Sequence, residues 1–118
     1  MALDAITGLM ARYAIVPRAT LLIRRKLIYA DGAIVYLRAW SVPAPVPPST
    51  HGFKYSLVYI VNGGRVIGFD NERGKGDHRH VKGTESPYAF ISLERLLADF
   101  TAEVEKMRNE PSESQQAN

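Results

Sequence analysis

The sequence contains no cysteine, which excludes disulfide bridges, thiolate nucleophiles and zinc sites built on cysteine. Long hydrophobic runs are missing as well. The longest apolar stretches, such as residues 14–16 and 21–23, fall far short of the roughly 20 residues that span a membrane. The first residues lack the basic segment followed by an apolar one that is typical of a secretory signal. These absences predict a cytoplasmic protein that makes no membrane contact.

The length and the charge pattern favour one globular domain with an anionic partner. The chain of 118 residues is long enough to bury a core without disulfide bonds or a structural metal ion. We expect a single domain over residues 1–110 and a disordered polar tail over 111–118. Residues 1–82 carry twelve Lys/Arg and five Asp/Glu, whereas residues 83–118 carry three and seven. A basic body favours nucleic acid as the partner, although many small proteins show a similar imbalance.

Two β-hairpins are predicted in the first two thirds of the chain. Residues 19–30 and 33–42 flank Asp31-Gly32, and residues 54–61 and 65–69 flank a turn at 62–64, both strong hairpin signals. Arg24, Lys26 and Arg38 fall on one face of the first hairpin. That face is either an anion-binding surface or the ordinary solvated side of a sheet. The proline-rich residues 43–52 form either a spacer or a rigid wall beside a site.

The remaining segments predict helices and a short extra strand. Apolar positions recur at helical spacing in residues 3–13 and again from Leu93 to Met107, where Ser92 is a plausible N-cap. Residues 88–91 are predicted to form a fifth strand. The expected fold class is therefore α+β: an antiparallel sheet of four to five strands from two hairpins, with an N-terminal and a C-terminal helix packed on it.

Residues 70–80 are the most informative segment. They hold two of the three histidines, three basic side chains, three carboxylates and two glycines, but no large apolar residue. The segment follows the last strand of the second hairpin, so we expect a loop at the end of a sheet, where functional residues are common. The alternative interpretation is a polar turn held by salt bridges, whose histidines have no functional role.

The spacing of His78 and His80 suggests acid–base chemistry. In an extended segment both imidazoles project to one side and Arg79 to the other. One imidazole can take a proton from a ribose 2′-hydroxyl while the other gives a proton to the leaving oxygen, with no metal or cofactor. Lys75, Arg73 or Arg79 would stabilise the charge that builds on the phosphoryl group, and Asp77 would orient a histidine. The predicted catalytic residues are therefore His78, His80, Lys75 and Asp77.

Other polar side chains complete the predicted site. The candidate substrate-binding residues are Arg73, Arg79, Lys54, His51, Arg24 and Lys26. A metal site built from Asp77, His78 and His80, with His51 from the connector, offers suitable donors, but its spacing matches no strong metal signature. We therefore predict no metal and no cofactor.

These residues also carry a family resemblance. The prolines of residues 42–47, the segments 51–57 and 68–71, and above all Gly74-Lys75-Gly76-Asp77-His78-Arg79-His80 resemble the TumE family of small bacterial and archaeal toxins. The resemblance extends over residues 18–105. It implies the toxin of a type II toxin–antitoxin module, whose antitoxin is typically a helix-turn-helix DNA-binding protein.

Three functions follow as alternatives. The cluster and the basic body favour a metal-independent endoribonuclease that acts on RNA and inhibits growth, as most small toxins of this size do. A non-catalytic module that binds nucleic acid or protein through its basic sheet face is the second alternative. A metal-dependent phosphodiesterase is the third.

Overall fold

A computed structural model describes residues 18–111, which form one antiparallel sheet and one helix. The elements are β1 (Thr20–Ile28), β2 (Ile34–Ser41), β3 (Phe53–Val61), β4 (Gly64–Glu72), β5 (Gly76–Val81), β6 (Thr84–Pro87) and α1 (Leu93–Arg108). The strands pair in sequence order as a six-stranded meander. The α+β class with an antiparallel sheet is confirmed. The predicted N-terminal helix at 3–13 and the tail at 112–118 lie outside the described residues.

Tight turns produce the meander. The first hairpin closes over Ala30 to Gly32, where the Tyr29 N–H donates to the carbonyl of Ala33. The second closes over Asn62 and Gly63, both at positive φ, which is the two-residue turn whose twist matches that of the strands. Both predicted hairpins are therefore present, and the first has a three-residue loop in place of the expected two-residue link.

The prediction of four to five strands is wrong, because residues 70–80 are not a loop. They form the end of β4, a tight turn at 73–75 and most of β5, which pairs with β4 from Glu72↔Gly76 to Ile67↔Val81. A further turn at Lys82-Gly83 adds β6. Residues 88–91, predicted as the fifth strand, have no regular secondary structure. The polar cluster therefore lies on two paired strands and the tight turn between them rather than on a loop at the end of the sheet.

The two faces of the sheet differ. Alternate side chains of β2 to β4 face α1 and are buried there, among them Val35, Leu57 and Phe69, which join Leu96 and Phe100 of the helix in one core. Burial of such side chains contributes about 1.5–3 kcal/mol each. The predicted helical stripe is confirmed, and Ser92 caps the helix by accepting from the Arg95 N–H at 3.1 Å. The opposite side, here called the open face, has no second layer in the described chain.

The proline-rich connector folds back onto the β4–β5 turn. The Gly74 N–H donates to the carbonyl of Pro47 at 2.8 Å, and Val42 donates to Gly52 at 2.9 Å. A Cβ on Gly76 would lie 3.0 Å from Cγ of Pro48, at a backbone φ of +78°. The connector is therefore packed against the polar cluster, as the interpretation of a rigid wall requires.

This packing gives a stability prediction. Gly74 also has positive φ, at +86°, but a Cβ there would meet nothing within 4 Å. Gly74→Ala should therefore cost only the left-handed backbone strain of about 1–2 kcal/mol. Gly76→Ala should cost at least about 1 kcal/mol more because it also displaces Pro48. Chemical denaturation of both variants measures the difference, and equal losses would contradict the packed wall.

Candidate functional site

The strand register brings the histidine pair together on the open face. His78 pairs with Asp70 of β4, and His80 pairs with Glu85 of β6. Directly paired residues of antiparallel strands project to the same side of the sheet. The rings of His78 and His80 lie with their centroids 5.8 Å apart. The prediction that they share a side is confirmed, and two carboxylates accompany them.

His78 is held firmly within this group. Its side chain is only 7% exposed, and its Nδ1 lies 2.9 Å from the carbonyl oxygen of Gly76. Its Nε2 lies 2.6 Å from Oδ1 of Asp70. The two atoms are not aligned for a hydrogen bond, so this Oδ1 is buried without a hydrogen-bond partner, the one such side-chain atom among the described residues. Both ring nitrogens therefore face oxygen atoms.

Glu85 links the histidines to Lys75. Its Oε1 lies 2.6 Å from Nζ of Lys75 and 3.7 Å from Nε2 of His78, and its Oε2 lies 3.5 Å from Nε2 of His80. The Lys75–Glu85 hydrogen bond raises the pKa of Lys75 and lowers the pKa of Glu85, so both groups are ionised near neutral pH. Lys75, His78 and Glu85 line an open cleft of about 300 Å³.

Asp77 points to the other side of the sheet. Its carboxylate accepts hydrogen bonds from the hydroxyls of Ser49 and Tyr55, the latter at 2.6 Å, and lies 2.7 Å from Nε2 of His51. Burial raises the pKa of Asp77, but the bonds from Ser49, Tyr55 and His51 outweigh it and lower the pKa overall. Burial, followed by the bond to Asp77, raises the pKa of Tyr55. Asp77 thus contacts His51 rather than His78 or His80.

His51 has both ring nitrogens occupied. Its Nδ1 accepts from the Phe53 N–H at 3.2 Å, which assigns the ring hydrogen to Nε2 and makes Nε2 the donor to Asp77. The ring also stacks on Phe90, with centroids 3.7 Å apart. Asp77, Ser49, His51 and Tyr55, here called the Asp77 network, tie the connector to the sheet.

The structure divides the predicted substrate-binding residues between several places. Arg79 faces α1, where its guanidinium lies 3.4 Å from Glu103. Lys54 donates to the backbone oxygen of Asn71, and Arg73 is exposed in the β4–β5 turn. Arg24 and Lys26 are exposed on the open face, four strands away from the histidines. Of the predicted site residues, His78, His80 and Lys75 lie together on the open face, and Asp77 and His51 lie together on the other side of the sheet.

Comparison with known protein families gives a match. A family model described as Toxin TumE matches residues 9–108. The chain belongs to the TumE toxin family. Membership makes it a toxin of a toxin–antitoxin system and implies an antitoxin partner. No curated protein and no solved structure matches the chain.

The TumE-family match covers every strand of the sheet and all of α1. Both the histidine pair and the Asp77 network therefore lie inside the part of the chain that the family shares. Within the described residues, no helix is long and apolar enough to cross a membrane.

Sequence reasoning missed several polar groups of this TumE-family site. Neither Asp70, which was counted in the cluster, nor Glu85 was given a role. Lys82-Gly83 was the available signal, because a turn there pairs Glu85 with His80. Arg65 was also missed: its Cδ lies 3.0 Å from where a Cβ of Gly68 would sit, and Gly68 pairs with His80. The absence of a side chain at Gly68 leaves room for this guanidinium on the open face.

Proposed function

We propose that this TumE-family toxin is a metal-independent endoribonuclease whose acid–base pair is His78 and His80. The proposal rests chiefly on one observation: the two imidazoles lie 5.8 Å apart beside the ionised Lys75–Glu85 pair. Rings at this separation can contact the same phosphodiester, because proton transfer requires only that each imidazole reach one of its oxygens.

The proposed reaction is transphosphorylation within the RNA strand. His80, 23% exposed, accepts the proton of a ribose 2′-hydroxyl as its oxygen attacks the neighbouring phosphorus. His78 donates a proton to the departing 5′-oxygen as the P–O5′ bond breaks. The products are a 2′,3′-cyclic phosphate and a 5′-hydroxyl. The roles follow from exposure: His80 is the ring that an incoming 2′-hydroxyl reaches more easily, and His78, which is 7% exposed, is left for the departing oxygen.

Lys75 supplies positive charge for the transition state. Its ammonium is half exposed at the edge of the cleft, so a bound phosphate can compete with Glu85 for it. A positioned cation stabilises the extra negative charge that develops on the phosphoryl oxygens. Asp70 and Glu85 hold the two imidazoles in place. In this proposal Asp77 and His51 stabilise the fold and do not contact the RNA.

The proposal makes RNA cleavage insensitive to chelators. Purified protein should cut single-stranded RNA equally in buffer and in excess EDTA. Because the 2′-hydroxyl is the nucleophile, an oligonucleotide with 2′-deoxyribose throughout should remain intact. Gel analysis of both substrates measures this, with a heat-inactivated sample as the control. Loss of cleavage in EDTA, restored by a divalent metal, would contradict metal independence.

A metal-dependent phosphodiesterase is the second candidate, and one observation favours it. Ligand atoms of His78, His80 and Glu85 all lie within 4.8 Å of one another. Two imidazoles and a carboxylate suit divalent transition metals, and the contact of His78 Nδ1 with a carbonyl is the usual support for a metal-bound histidine. The chelator experiment separates the two candidates, because only the second needs a metal. The deoxyribose substrate separates them as well, since in the second candidate water attacks and the 2′-hydroxyl is not needed.

The antitoxin is proposed to be a helix-turn-helix DNA-binding protein, as the family resemblance implies. RNA is the proposed substrate of the toxin. A protein that arrests growth while total RNA stays intact would instead favour the non-catalytic alternative, in which the toxin acts only by binding.

A further inference from the structure

Two rows of side chains cross the open face from β1 to the histidines. Residues directly paired across successive strands form each row. The first row is Arg24, Arg38, Ser56, Asp70 and His78, and the second is Lys26, Tyr36, Val58, Gly68 and His80. Four inter-strand spacings separate the ends of each row, or about 19 Å. Each row therefore begins at a basic residue on the edge strand and ends at one histidine of the pair.

The β1–β3 part of this face is basic. Arg24, Lys26 and Arg38 are exposed there. The three strands contain no aspartate or glutamate at all among their described residues. Arg65 adds another cation near the histidines, where its side chain lies over Gly68. Charge of one sign, with no carboxylate to neutralise it, is the electrostatic signature of a surface that contacts a phosphate backbone.

Aromatic rings lie among these cations. Tyr36 and Trp40 alternate with Arg38 along β2 and are partly exposed. The ammonium of Lys26 and the guanidinium of Arg38 lie 5.4 Å and 5.9 Å from the Tyr36 ring centroid. An aromatic ring flanked by cations can stack on a base while its neighbours contact the adjoining phosphates.

We propose that the open face of β1–β3 is a binding platform for single-stranded RNA that guides the strand to His78 and His80. The proposal rests on the proposed ribonuclease function for the choice of RNA. Single strands are favoured over duplexes because stacking on Tyr36 or Trp40 needs an unpaired, accessible base, which a duplex hides inside its helix. The platform binds several nucleotides on one side of the cut, and its residues take no part in the cleavage reaction.

The binding test uses the wild-type chain and a labelled 2′-O-methyl oligonucleotide, which cannot be cleaved by attack of its 2′-oxygen. Fluorescence anisotropy should show binding of the single strand and much weaker binding of the same sequence as a duplex. Tyr36→Leu should weaken single-strand binding by about tenfold, whereas Tyr36→Phe, which keeps the ring, should retain it. Equal binding of duplex and single strand, or equal effects of the two Tyr36 variants, would overturn the platform.

Arg25 provides a matched control for the charges. It is exposed and lies next to Arg24 on β1, but it projects to the opposite face of the sheet. Arg38→Gln should reduce the slope of log affinity against log salt by about 0.7, the value for one phosphate contact in a single strand. Arg25→Gln should leave the slope unchanged. Equal changes for the two arginines would mean that general charge, not this face, attracts the RNA.

The outcomes for binding and for cleavage are separable. Unmodified RNA is incubated with the same variants in parallel. Normal binding through Tyr36 and Arg38 without any cleavage would leave the platform standing and remove the ribonuclease. Cleavage that is unaffected by Tyr36→Leu and Arg38→Gln would support the ribonuclease and overturn the platform. If these variants bind RNA normally but fail to bind the antitoxin, the face is a protein interface and the platform is overturned.

Discussion

Replacing His80 with alanine should abolish growth arrest and slow RNA cleavage by about 10²- to 10⁴-fold, the usual contribution of one acid–base group. His80 is the better of the two histidines for this test. Its side chain is 23% exposed and lies 3.5 Å from Glu85, whereas His78 is 7% exposed and packed between Gly76 and Asp70. The fold should therefore survive loss of the His80 imidazole, and a lost activity reports on chemistry.

The control for this experiment lies on the same hairpin. Thr84 is an exposed residue of β6 next to Glu85, and Thr84→Ala should keep full toxicity. Growth after induction, RNA integrity and the melting temperature are measured for both variants. A His80→Ala protein that melts like the wild type and still arrests growth at full strength would remove His80 from the mechanism.

Asp77→Ala should destabilise the fold by about 3 kcal/mol, at about 1 kcal/mol for each of the three donors that lose their acceptor. The substitution leaves the hydroxyls of Ser49 and Tyr55 and the Nε2–H of His51 without their shared acceptor. For a domain of this size such a loss lowers Tm by roughly 12 °C. Glu105→Gln, an exposed change on α1, is the matched control and should shift Tm little.

The same network gives a pH dependence. The pKa of Asp77 is lower in the folded protein than its ordinary value of 3.8. A carboxyl with a depressed pKa stabilises the fold above its unfolded pKa, and this contribution is lost as pH falls through the folded one. The free energy of unfolding should therefore drop more steeply below about pH 4 in the wild type than in Asp77→Asn. Denaturation at several pH values checks this. If the free energies of unfolding of the two proteins change in parallel with pH, the ionisation of Asp77 does not contribute to stability.

The parts of the fold that follow strong local rules were predictable. Asp31-Gly32 and Asn62-Gly63 between alternating apolar runs gave two hairpins, and the stripe from Leu93 to Met107 gave α1. The shared side of His78 and His80 needed only the two-residue period of an extended chain. Each of these predictions used residues close together in the sequence.

The parts that depend on long-range pairing were not predictable. Gly76 to Val81 has little apolar alternation, and it becomes a strand because β4 and β6 supply hydrogen-bonding edges on both sides. Asp77 contacts Ser49 and His51, 28 and 26 residues away, so its neighbours in sequence gave no indication of its partners. Strand alternation predicted that Arg79 points away from the histidines, but its contact with Glu103 of α1, 24 residues away, was not predictable.

Analysis of the ends of the cleaved RNA tests the proposed chemistry most directly. Purified wild-type protein is incubated with a short single-stranded RNA in excess EDTA, and the products are weighed by mass spectrometry. Attack by the 2′-hydroxyl, with His80 as base and His78 as acid, should leave a 2′,3′-cyclic phosphate and a 5′-hydroxyl, and His80→Ala should leave the RNA intact. A 3′-hydroxyl with a 5′-phosphate, formed by attack of water, or intact RNA with the wild-type protein would contradict it.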